Sequence, residues 1–129
     1  MSTRCVIGYE GESALIYRHS DGYPDGKAGV LAALEPFRDH FFRGRGNDGA
    51  FFLARVLAWM PGYNREEYTG FGVCTGFSFD IAYYYHIRIS GDIEVYATTT
   101  DVETAQAGAP GYSVHPGFEL LRTSKRRRK

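Results

Sequence analysis

The 129-residue chain reads as α+β: an antiparallel sheet with two central helices packed on one face, in the order β-β-α-α-β-β. Three observations predict this. Strand-like runs open the chain and fill its second half. Helix-period apolar patterns are confined to the middle. Turn residues separate the runs.

The elements follow in order. "RCVIGYEGESALIYRH", residues 4–19, predicts two short strands around the turn Glu10-Gly11-Glu12-Ser13, because Val, Ile and Tyr favour strands and Gly11 permits the turn. A polar loop from His19 to Gly26 follows. In "KAGVLAALEPFRDHFFR", Val30, Leu31 and Leu34 mark one helical face. Pro36 removes a backbone donor, so the expectation is a helix over 27–35 and a second short segment through Phe42. Asp48 is placed to cap "GAFFLARVLAWM", which is apolar nearly all round except for Arg55 and should therefore lie in the core. "PGYN" ends it.

"SFDIAYYYHIRI" and "DIEVYATTT" flank "SGD" as a hairpin. Alternation puts Ile81, Tyr83, Tyr85, Ile87 and Ile89 on one face. Ala82, Tyr84, His86 and Arg88 share the other, joined by Glu94 and Tyr96. "AGAPGYSVHPGFELL" adds at most a short edge strand. Residues 1–121 read as a single globular domain and 122–129, "RTSKRRRK", as a basic, disordered tail.

At this length a core needs no disulfide or metal. Aromatics make up 16% of the chain, enough to supply large buried area per residue. Net charge is zero but uneven. Six basic residues lie in 122–129, which leaves nine basic against fifteen acidic elsewhere, a balance of −6. An acidic body opposes non-specific nucleic-acid binding. Cys5 and Cys74 lack a CxxC spacing, no apolar run reaches membrane length, and the first residues do not resemble a secretory leader. The expectation is a cytoplasmic protein with reduced thiols, no membrane segment and no cofactor.

Several stretches carry candidate chemistry. In "HSDGYPDG", His19, Asp21, Tyr23 and Asp25 follow a strand, where a loop can aim side chains at a ligand. His19 beside a carboxylate could act as an oriented base, and the three titratable groups could hold part of a hard metal. The same residues are turn formers for backbone reasons alone: Gly admits positive φ, Pro fixes φ, and Asp caps the next helix. "GRGNDG", Gly44–Gly49, matches G-x-G-x-x-G, but a helix-like segment precedes it where a dinucleotide site needs a strand. Flanked by Arg43 and Arg45, it could still hold an anion at a helix N-terminus. The Tyr84-His86-Arg88 face could stack bases or a partner's side chains. His86 and Ser90 do not form the paired His-x-Ser element of two-histidine phosphoesterases, since along a strand they sit about 13 Å apart.

"IYRHSDGYPDG" resembles a signature of small uncharacterised proteins of phages, prophages and mobile elements: Tyr17, His19, then Asp21, Gly22, Tyr23 and Pro24. The resemblance covers about ten residues of this chain and brings no catalytic or cofactor assignment. It implies an origin in which inhibitors of host defence are common. A compact acidic body could occupy the nucleic-acid groove of such a complex by matching its potential.

The leading expectation is therefore a non-catalytic binding protein of the anti-CRISPR type, whose partner is a host protein or a protein–nucleic-acid complex. The alternative is a small enzyme or nucleotide-binding module on His19, Asp21 and Asp25, with Arg43 or Arg45 taking phosphate. A third is an oligomerisation unit using the tyrosine-rich hairpin face.

Overall fold

The computed structural model describes residues 3–44, 48–60, 70–75, 81–98 and 118–126. Its strands are β1 (Arg4–Tyr9), β2 (Leu15–Arg18), β3 (Phe71–Cys74), β4 (Ile81–Ile87), β5 (Ile93–Thr98) and β6 (Phe118–Ser124). Two helices, α1 (Val30–Gly44) and α2 (Gly49–Trp59), lie between β2 and β3 in the chain. The fold is α+β, with the six strands in the order β3-β2-β1-β4-β5-β6.

The sheet is mixed, which corrects the antiparallel expectation. The pairs β1–β2, β2–β3, β4–β5 and β5–β6 are antiparallel, but β1 and β4 run parallel at the centre, with Ile7 opposite Tyr85. Parallel neighbours need a long crossover, and the helices lie within that connection. Alternation along one strand reports which face a residue takes, not the direction of its neighbour. The order also gains β3 and β6. β6 includes Arg122, Thr123 and Ser124, which the sequence reading gives to the tail.

The sheet has two buried faces. Cys5, Ile7, Tyr9, Ile16, Tyr85, Ile87, Ile93 and Val95 meet the helices on one. Val6, Leu15, Ile81, Tyr84, Tyr96 and Phe118 cluster together as a second core. Ile81 belongs to this second cluster, not with Tyr83 and Tyr85, because the β1–β4 register shifts between Arg4 and Cys5. A bulge reverses the facing of every residue beyond it. Central strands buried on both sides explain why "CVIGY" reads as an unbroken apolar run.

The turns form where expected. Gly11 sits at φ 87° between β1 and β2, and Gly91 at φ 97° between β4 and β5. Asp48 caps α2, its Oδ1 accepting from the Phe51 N–H at 3.2 Å. The break expected at Pro36 does not occur: α1 runs through it. Pro36 leaves the Ala32 carbonyl without a helical donor. Burial of Val30, Leu31 and Leu34 before it and Phe37, Phe41 and Phe42 after it outweighs that loss.

α1 is locked to the sheet edge by Arg38, which is 2% exposed. One guanidinium nitrogen donates to the carbonyls of Gly91 and Ser124, both at 2.9 Å. The other donates to Ser124 Oγ at 3.1 Å, and Nε to Asp39 at 2.7 Å. Ser124 Oγ in turn donates to Glu35 at 2.6 Å. Beyond β6, the Arg126 N–H donates to Asp92 at 2.9 Å and its guanidinium lies over the Phe42 ring at 5.5 Å. The basic segment is therefore tied down as far as Arg126.

Candidate functional site

The His19–Gly26 loop is built around its backbone. Asp21 adopts φ 58°, the left-handed region that a short polar side chain tolerates. The Gly22 N–H donates to the Thr3 carbonyl at 2.8 Å, and the Gly22 carbonyl accepts from the Tyr85 hydroxyl at 2.6 Å. A Cβ on Gly22 would lie 2.8 Å from Thr3 O and 2.9 Å from Cys5 Cβ, so no larger residue fits. The carbonyls of Tyr23 and Pro24 accept from Val30 and Leu31, giving two first-turn donors of α1 their partners. Asp-Gly-Tyr-Pro is thus a clasp that starts α1 against β1 and β4.

The side chains of this loop point to different partners. His19 Nδ1 lies 3.3 Å from Arg4 Nε and 3.1 Å from the Tyr17 hydroxyl. Accepting from Arg4 places the imidazole proton on Nε2. Asp21 accepts from the Tyr23 hydroxyl at 3.1 Å. Asp25 takes Arg122 of β6 on both oxygens, at 2.8 and 2.7 Å. No hydrogen bond joins His19, Asp21 and Asp25 to one another, and among the described residues no three His, Cys, Asp or Glu side chains gather as metal ligands.

The hairpin residues do come together, but inside the protein. Tyr84 and His86 are fully buried and joined at 2.6 Å between the Tyr84 hydroxyl and His86 Nδ1. Tyr96, 5% exposed, stacks on Tyr84 at 5.7 Å and donates to Glu94 at 2.9 Å. Burial, then the Glu94 bond, holds its phenol in the neutral form. Arg88 bridges Glu10 at 3.0 Å and Glu94 at 3.4 Å. This corrects the expected stacking surface. The rings of Tyr84 and His86 are a buried polar layer, because this face carries a second core that period-2 alternation cannot distinguish from solvent.

Arg43 is exposed in the last turn of α1. Arg45 lies outside the described residues. The segment before Gly44–Gly49 is a helix, as the sequence reading requires for rejecting a dinucleotide site. Cys5 is buried, and that burial, opposed only in part by Arg18, pushes its thiol up to about 12.

One surface was missed. α2 buries Phe52, Leu53 and Val56 but leaves Phe51 40% and Trp59 48% exposed, with Arg55 between them. This corrects the expectation that an all-round apolar helix lies wholly in the core. The positions 51, 55 and 59 are spaced by four, so they form one outer stripe. Arg55 lies over the Phe51 ring at 5.3 Å and Trp59 stacks on Phe37 at 5.3 Å. Two shallow hollows meet at Arg55. One, about 270 Å³, is lined by Phe37, Ala58 and Trp59; the other, about 210 Å³, by His40, Phe41 and Gly44. The signal was present in the sequence: α2 has more large apolar residues than one buried face can take.

Comparison with protein-family models, curated proteins and solved structures finds no match for this chain.

Proposed function

We propose that this chain works by contact, gripping a macromolecular partner with the outer face of α2. The observation that carries this reading is the exposed Phe51–Arg55–Trp59 stripe. Trp and Arg dominate the energetics of protein interfaces, and half-exposed aromatic rings held in place by their own stacking lose little freedom on binding. The local Tyr-x-His-x-Asp-Gly-Tyr-Pro signature supports a phage, prophage or mobile-element origin, and with it a host defence complex as the partner class, in the manner of an anti-CRISPR inhibitor.

Contact through α2 is better supported than nucleic-acid mimicry by the acidic body. A mimic needs unengaged carboxylates. Among the described residues Glu10, Asp25, Asp39 and Asp92 are ion-paired, Asp21, Glu35 and Glu94 accept hydroxyl donors, and Asp48 caps a helix. The enzyme alternative on His19, Asp21 and Asp25 gains no comparable observation, since each of the three is bonded elsewhere.

The test is co-purification from host cells carrying defence systems. The parent chain should retain a macromolecular partner that Trp59→Asp loses while still folding. A pure protein that binds no macromolecule but turns over a nucleotide would overturn the reading.

A further inference from the structure

The outer face of α2 also indicates what it binds. Arg38, Arg88, Arg122 and Lys125 each pair with a carboxylate. Arg43 and Arg55 pair with none among the described residues; Arg55 lies within the stripe, and Arg43 precedes Gly44, which lines one hollow with Arg55. His40 lines the same hollow as Arg55. Two hollows therefore meet at Arg55, one walled by Phe37, Ala58 and Trp59 and the other by His40, Phe41 and Gly44.

From this juxtaposition we infer that the α2 face docks an acidic amphipathic helix of a partner protein. An apolar side chain of that helix seats against Phe37 and Trp59, and a carboxylate four residues away reaches Arg55 and His40. The inference rests on the contact reading above and specifies its partner.

Charge decides against the other occupants. A second copy of this chain, docked face to face about a two-fold axis, would bring Arg55 and Arg43 toward their own counterparts. An anionic membrane or nucleic acid would present charge over an area far wider than these two side chains. An acidic helix satisfies the arginines with a small, local charge and buries the rings as well.

Trp59 is the only tryptophan in the chain, so its emission reports on this face alone. The probes are two helix-stapled synthetic peptides with the same leucine pattern, one flanked by glutamates and the other by lysines. The Glu-flanked peptide should shift Trp59 emission to the blue and bind at least tenfold more tightly than the Lys-flanked one. The preference should shrink as salt rises, because exposed pairs are screened. Arg55→Glu, at an exposed position, should reverse it with the circular dichroism of the parent, and Arg43→Glu should weaken it.

Equal binding of the two peptides would overturn the acidic-helix inference but leave a contact surface in place. Silence of Trp59 toward both would overturn the inference, and the co-purification experiment then decides the broader reading separately. A blue shift with anionic vesicles but not with the Glu-flanked peptide would assign the face to lipid. A shift on raising protein concentration alone would assign it to a second copy. Either result overturns the inference.

Discussion

Replacing Arg38 by Ala removes a side chain that ties α1, the β4–β5 turn and the end of β6 together. Its guanidinium donates to the carbonyls of Gly91 and Ser124 and to Ser124 Oγ, at 2.9 to 3.1 Å. Gly91 is buried, so its carbonyl finds no water when Arg38 is gone. A buried acceptor left unsatisfied costs about 1–3 kcal/mol. Ser124 is half-buried and Asp39 is 19% exposed, so both rehydrate in part and add less. With the loss of the packed Arg38 stem the total comes to about 3–5 kcal/mol, the range for breaking a buried ionic contact. For a chain of this length that is a fall in Tm of roughly 10–20 °C. Urea denaturation followed by circular dichroism should show a lower midpoint with an unchanged slope. Arg38→Met keeps the stem and removes the donors, so it should recover only the packing share. Arg38→Lys should recover little, since one ammonium cannot reproduce the planar fork. Arg38→Met as stable as the parent, or Arg38→Ala costing under about 1 kcal/mol, would refute this reasoning.

Three further outcomes are expected. Gly22→Ala should destabilise by about 1–3 kcal/mol, because its Cβ would press on Thr3 O and Cys5 Cβ, whereas His19→Ala should leave the melting temperature within a few degrees of the parent. The Glu10 carboxyl is held below the ordinary value of 4.5, first by the Ile89 N–H and then by Arg88. A depressed folded-state value contributes stability above the ordinary range and loses it as pH falls through the lowered one, so Glu10→Gln should flatten the acid limb of a stability–pH profile. In the native protein a thiol reagent should modify half-buried Cys74 first, while Cys5, pushed up to about 12, reacts only at the rate of unfolding.

Much of the fold could be read from residue order. The turns at Gly11 and Gly91, the Asp48 cap and the central position of both helices all rest on local backbone chemistry, and all are present. What was not legible depends on partners distant in the chain. The parallel β1–β4 pairing and the bulge that turns Ile81 over are set by packing between segments 77 or 78 residues apart. Pro36 is tolerated because both halves of α1 face one core. Tyr84 and His86 read as a polar outer face because their pattern says nothing about a second buried layer. In the "HSDGYPDG" loop, Gly22 and the carbonyls of Tyr23 and Pro24 fix the backbone and the start of α1. The many large apolar residues of α2 imply burial on all sides when only the sequence is considered, whereas the surplus lies on the outer stripe.

Hydroxyl-radical footprinting of the complex recovered by co-purification tests the contact surface most directly, since aromatic rings label readily when exposed. Phe51 and Trp59 should be labelled in the free protein and lose that labelling in the complex, with Tyr17 and Tyr23 unchanged. Protection at Tyr17 and Tyr23, with Phe51 and Trp59 labelled as before, would contradict the assignment of binding to α2.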